Sequence, residues 1–281
     1  MEWDNARPMQ SIALAPASDV AARFDRISEV YDETREPLSK EALDRAADVL
    51  KAHDLKLILE AGVGTGRIAG PLQERGLEIV GLDLSRGMLA RARAKGVANL
   101  LMADANSPPF RAKVFDAALL AHVLHLLDDP ALTFTNLSAV AQDELVVFLR
   151  RHERKKNEGA GGRDEINRAF QRAASELGIA TTHPYSAWRQ RFAKQNEFLA
   201  KFPPTERITI QEVDGRATLR DHMLRLEKRA FSFASDLSDE DFRRVIGRAR
   251  LMIDLDKQVK YHRVEEMAIW RIAQSSFKGT P

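Results

Sequence analysis

The sequence has no cysteine. That excludes a disulfide framework, a Cys-ligated zinc or iron–sulfur site and a cysteine nucleophile. Radical chemistry at a three-cysteine cluster, and methylation of pyrimidine C5 through a cysteine adduct, are excluded with them. An excess of one charge is also missing: 43 Lys and Arg face 41 Asp and Glu, a formal charge of +2. Such a chain has no field that demands nucleic acid or an anionic membrane. Long apolar runs are absent too. The most apolar stretch, residues 117–127, contains His122 and His125 and falls far short of the roughly 20 residues of a membrane span. Acids at Glu2 and Asp4 with a brief apolar patch at 12–17 give no secretory signal. A cytoplasmic protein is expected. What remains is ordinary globular composition, 44% hydrophobic and 30% charged over 281 residues, enough for a full core.

The hydrophobic period changes along the chain. Residues 1–18 hold Pro8 and Pro16 and read as a tail or irregular cap. Ser18-Asp19 can cap a helix with Val20, Phe24, Ile27 and Val30-Tyr31 on one stripe, ended by Pro37. A second helix follows from Ser39. From Leu55 onward, short apolar runs alternate with helical patterns. The runs are 55–60, 77–82, 99–103, 115–121 and 144–149. Strands apolar throughout and separated by helices predict a parallel sheet covered on both faces. Further on, 207–213 and 266–273 read as strands, and 164–177, 186–201, 217–231 and 238–256 as helices. Arg150–Lys156 reads as a basic solvated loop, with a Gly-rich loop at 157–162.

The chemistry concentrates in Glu60-Ala61-Gly62-Val63-Gly64-Thr65-Gly66. A strand ends in an acid, then three glycines at alternate positions lead into a helix. Such glycines permit a tight turn and close approach of a ligand, and the helix start adds N–H donors. Asp83 ends the next strand, 21 residues after Gly62, where a carboxylate can bind a ribose diol. Asp104 ends the third and can face an adenine amino group. Gly64-x-Gly66-x-x-Ala69 formally fits a dinucleotide fingerprint. Glu60 points instead to S-adenosylmethionine. A carboxylate there repels a pyrophosphate but can hold an α-ammonium, directly or through water.

The chain here resembles the class I S-adenosylmethionine-dependent methyltransferases, in their small-molecule, ubiquinone-biosynthesis-like branch. The resemblance runs from about Phe24 to Leu149. It rests on the glycine turn, Val80-Gly-Leu-Asp83-Leu-Ser85-Arg-Gly-Met88-Leu, Asp104-Ala105, and Phe115-Asp116 leading to Ala121-His122-Val123. Phe24-Asp25 and Val30-Tyr31-Asp32 look like the segment covering the cofactor. The resemblance implies a Rossmann-like, doubly wound seven-stranded sheet with its last strand antiparallel. It implies cofactor contacts from Glu60, Gly62, Gly64, Gly66, Asp83, Leu84, Met88, Asp104, Ala105, Ala121 and Tyr31. A helical cap is expected over 1–45. The methyltransferase domain is expected over 46–281, with lid insertions at about 155–205 and 215–262.

Each residue also has a plainer reading. Leu84 and Met88 suit the core equally, and Tyr31 suits the inner edge of a helix. His122 and His125 are candidates for a general base; both can simply line the pocket. With Asp128 they can share a helix face, but no metal site is expected. Trp188, Phe192, Leu199 and Phe202 read as core with a possible share in the lid. The leading function is methyl transfer to a small acceptor. An NAD(P)-dependent oxidoreductase is the alternative, although none of the three tyrosines has a lysine four residues on. A methyltransferase for RNA or protein is another, although no Asn/Asp-Pro-Pro-aromatic motif follows the fourth strand. A non-catalytic cofactor-binding scaffold is the last.

Overall fold

The computed structural model describes residues 19–153, 162–181, 185–228 and 237–274. Seven strands build one sheet: β1 (Leu57–Ala61), β2 (Glu78–Asp83), β3 (Asn99–Met102), β4 (Phe115–Ala121), β5 (Ala141–Glu153), β6 (Glu206–Thr218) and β7 (Gln258–Arg271). Their spatial order is β3-β2-β1-β4-β5-β7-β6. The first five pair in parallel, and β7 runs antiparallel between β5 and β6. This is the sheet expected from the sequence.

Side chains alternate across a strand, so continuous apolarity fills two layers. Ile58, Ala117, Leu119, Val146 and Phe148 enter one core with α2 (Lys40–Ala52) and α3 (Ala69–Glu74). Leu59, Ala61, Ala118, Leu120 and Val147 enter the other, against α5 (Pro130–Val140) and α7 (Tyr185–Lys201). α4 (Arg86–Ala94) starts from a Ser85 cap whose hydroxyl accepts the Met88 N–H. A third core lies apart from the sheet. It joins α6 (Gly162–Glu176), α8 (Leu219–Glu227) and α9 (Asp239–Arg250) through Ile166, Phe170, Met223, Phe242 and Val245.

Several boundaries differ from expectation. α1 (Asp19–Ile27) stops before Val30 and Tyr31, which sit in a turn. The Ser28 hydroxyl donates to the Asp25 carbonyl and competes with helix continuation. α2 passes unbroken through residue 45 and buries Ala42, Ala46 and Leu50 in the first core. β6 and β7 reach into the expected 215–262 insertion, because their ladder continues to Thr218↔Gln258. Arg150 and Arg151 are not in a solvated loop. They lie in β5 opposite β7, where Glu265 and Glu266 bind them. The tail at 1–18, residues 154–161 and the side chain of Trp188 lie outside the described residues. Among the described residues, no helix is long and apolar enough to cross a membrane.

Candidate active site

The turn after β1 is built on two glycine constraints of different origin. Gly64 has φ +55°, and a Cβ added there meets nothing within 4 Å. Its N–H donates to Asp83 Oδ2 at 2.9 Å. Gly66 has φ +75°, and a Cβ there would lie 2.6 Å from Val97 Cγ2. Gly66 thus lets the turn pack against Val97 and against Ala92 of α4. Gly62 and Gly64 line the cavity.

Glu60, Asp83 and Asp104 meet at the carboxyl end of the sheet and line the same cavity. Glu60 is 1% exposed, and its Oε2 has no hydrogen-bond partner. Burial, then the charge of Asp83, pushes its carboxyl well above the usual carboxylate range. A buried carboxyl oxygen without a donor is costly. An arriving ammonium group would relieve that cost. Burial also raises the Asp83 carboxyl, opposed by the N–H groups of Ser85, Gly64 and Leu84. Asp104 accepts the Asn106 N–H at 2.8 Å and keeps an exposed face.

The remaining expected residues surround these acids. Leu84 is exposed, Met88 is buried, and both line the cavity with Ala105 and Ala121. Tyr31 lines it too, edge-on to Phe24. The segment carrying Tyr31 is tied down at two points. Asp25 Oδ1 accepts the Ser85 hydroxyl at 2.5 Å and the Gly87 N–H at 2.8 Å. Asp32 Oδ1 accepts the buried Thr65 hydroxyl at 2.6 Å. Both anchors escaped the sequence reading of roles, although both stand in the Phe-Asp and Tyr-Asp pairs that it noted.

His122 follows β4 with φ +59°, a left-handed conformation costly for a non-glycine residue. Its N–H donates to the Phe148 carbonyl at 3.1 Å, which holds it there. The imidazole lines the cavity, with Nε2 3.9 Å from Glu265 Oε2. Burial, then Arg150, Arg67, His125 and Arg35, pushes its pKa down to about 3. His125 stacks on Phe192, centroids 4.5 Å apart. The two histidines and Asp128 do not share a helix face, because the single helical turn there, Leu124–Leu126, contains His125 but neither His122 nor Asp128. Among the described residues no group of three or more His, Asp or Glu can hold a metal ion.

The cavity measures about 1850 Å³ and extends beyond the acids to a basic end. Arg67 and Arg150 line it there, and both donate to the Glu36 carbonyl, at 2.6 and 3.1 Å. Arg150 also binds Glu265, which is 1% exposed. Glu36 binds Arg225 at 2.7 Å, and Arg263. The sequence reading missed this cluster. Its legible signals were Arg67 directly after the glycine turn, and paired Arg150-Arg151 and Glu265-Glu266 at facing ends of two strands.

Residues 59–147 match a family model described as a methyltransferase domain. Malonyl-[acyl-carrier protein] O-methyltransferase of Salmonella typhimurium is 36% identical over 100 residues, 35% of this chain and 39% of that protein. Demethylmenaquinone methyltransferase of Renibacterium salmoninarum is 32% identical over 117 residues, 40% of this chain and 49% of that protein. A malonyl-[acyl-carrier protein] O-methyltransferase from Serratia marcescens is 27% identical over 202 residues, 72% of this chain and 75% of that protein. The match thus spans under half the length of the first two relatives. The matched segment, 59–147, resembles a class I methyltransferase domain in its family model and in the strand order around it. S-adenosylmethionine is the cofactor of that class.

Proposed function

We propose that this chain transfers a methyl group from S-adenosylmethionine to a small-molecule acceptor. The observation that carries the reading is the Glu60 carboxyl, buried at the foot of the glycine turn with Oε2 lacking a partner. That oxygen suits an ammonium group and opposes a pyrophosphate, which separates this cofactor from a dinucleotide. Asp83 would take the ribose hydroxyls, Leu84 and Met88 the adenine faces, and Asp104 with Ala105 its edge. Gly62, Gly64 and Ala121 would hold the methionine end, with Tyr31 above it.

The bound cofactor supplies a methyl group already activated on a sulfonium. The chain's residues then have to align the acceptor and exclude water. α1 and the following turn close one side of the chamber, anchored through Asp25 and Asp32. α6 and α7 close another with Ile166, Asn167, Phe192 and Gln195, and act as a lid. His122, neutral above about pH 3 in the free protein, would accept the acceptor's proton where one must leave. His125, stacked on Phe192, would line the acceptor site. A recessed chamber suits a small acceptor better than RNA or a folded protein.

Calorimetry with S-adenosylhomocysteine and with NAD tests the reading. Saturable binding of the first alone is expected, weakened in Glu60→Gln. Saturable binding of NAD alone overturns it. An acceptor screen that follows S-adenosylhomocysteine release then identifies the substrate.

A further inference from the structure

One charged cluster in the cavity wall lies outside the acidic end. A single oxygen, the Glu36 carbonyl, holds Arg67 and Arg150 side by side. Their neutralisation is incomplete. Arg150 pairs with Glu265, while Arg225 and Arg263 pair with Glu36. Together with Arg67, four guanidiniums therefore share two carboxylates. Arg67 comes no closer than 3.9 Å to Asp32 Oδ1, an oxygen that already accepts the Thr65 hydroxyl. Lys95 occupies the other Asp32 oxygen. The side chains of Arg67 and Arg150 are only 23% and 21% exposed, so bulk water screens them weakly. Their field reaches His122, where they oppose the imidazolium after burial has done so.

The chamber has room to use this charge. Single ligand pockets span roughly 300–1,000 Å³, and this one measures about 1850 Å³. It can take a cofactor and a second molecule together. Acids line the end assigned to the cofactor, and arginines line the space beside His122.

Building on the methyl-transfer reading, we propose that the acceptor bears a carboxylate that docks on Arg67 and Arg150 beside His122. A guanidinium fork matches a planar carboxylate in geometry as well as charge. A neutral acceptor would leave four guanidiniums in the chamber wall with only Glu36, Glu265 and the more distant Asp32 to offset them. A docked anion also offsets the part of the His122 shift that Arg150 and Arg67 cause, while the larger part from burial stays.

The cofactor carries one carboxylate of its own, and the experiment must separate the two anions. Protein saturated with S-adenosylhomocysteine is titrated with benzoate, salicylate, malonate and octanoate, each beside its carboxamide. At least one carboxylate is expected to bind ten-fold or more tightly than its amide. Arg67→Gln is expected to abolish that preference while S-adenosylhomocysteine affinity stays within two-fold. Arg67→Lys should restore part of it. Absence of carboxylate binding, or amides that bind equally well, overturns the proposal. So does an Arg67→Gln variant that loses S-adenosylhomocysteine as strongly as the carboxylate, because the cluster then serves the cofactor. Failure of the wild-type protein to bind S-adenosylhomocysteine sinks the methyl-transfer reading instead.

Discussion

The acidic and basic ends of the cavity hold their charge in different ways. Glu60, Asp83 and Asp104 stand near the ends of three paired strands, and the amides that bond Asp83 and Asp104 lie in the turns that leave those strands. Asp83 bonds the amides of Gly64 and Ser85, and Asp104 bonds that of Asn106. Arg67, Arg150, Arg225 and Arg263 come from four separate elements and are knit together by Glu36 and Glu265. The acidic end is thus made by turns, and any chain with those turns reproduces it. The basic end is made by strand register and by packing of the N-terminal segment. A device for a cofactor common to a class can be local. A device for one acceptor can be assembled from distant parts.

Disrupting the base of the acidic end should have the largest effect. Gly66→Ala forces a left-handed alanine, costing about 1–2 kcal/mol, and overpacks against Val97 for about 1–3 more. Urea denaturation should show a loss of roughly 2–5 kcal/mol. Gly64→Ala should lose about 1–2 kcal/mol, because its Cβ projects into open space. Equal losses in the two variants would refute the distinction between packing and ligand-facing glycines.

Asp83→Ala should weaken S-adenosylhomocysteine by about 100-fold, on the order of 2–3 kcal/mol. Arg67→Gln should barely change it. If the two variants rank the other way in calorimetry, the two ends have been misassigned.

A smaller effect belongs to Glu60. Burial and the charge of Asp83 raise the Glu60 carboxyl in the free protein, whereas a bound ammonium favours the carboxylate. Binding should therefore release a proton, seen as a heat that depends on buffer ionisation. Glu60→Gln should abolish the release and weaken affinity by about ten-fold. Proton uptake on binding would reverse the assigned sign.

The smallest effect links the two ends through His122. Its folded pKa of about 3 lies below the ordinary 6.5. Between these values the unfolded chain binds a proton that the folded chain refuses. Stability should therefore fall as pH drops from about 6.5 toward 3. The slope cannot exceed about 1.4 kcal/mol per pH unit from this group, and a side chain 27% exposed will give less. His122→Gln should flatten that window in a pH series of thermal melts. An unchanged slope would mean that neither burial nor the arginines depress the His122 imidazole.

Much of the acidic end was legible because it is sequential. The acid, the glycines and the helix that follows occupy one stretch, and Asp83 and Asp104 come at the next strand ends. The glycine signal at Gly66 is the same whether a ligand or Val97 is the close neighbour, and only the packing shows Val97 there. Arg150 and Arg151 were misread because a basic pair looks alike in a loop and in a strand. Only the pairing of β5 with β7 sets Arg150 opposite Glu265. α1 was extended too far because apolar spacing continued past Ser28, where a side-chain hydrogen bond ends the helix.

The absent cysteine and the near-neutral charge narrowed the chemistry before any element was placed. The amino-acid sequence by itself determined the sheet, the glycine turn and the row of acids. These depend on hydrophobic period and on backbone conformations available within a few residues. Tertiary structure alone decided that Glu60 is buried with Oε2 unpartnered, that His122 sits in a left-handed turn, and that distant arginines converge on one carbonyl. Burial and electrostatic field are sums over neighbours in space, and for these residues most of those neighbours are far away in the chain.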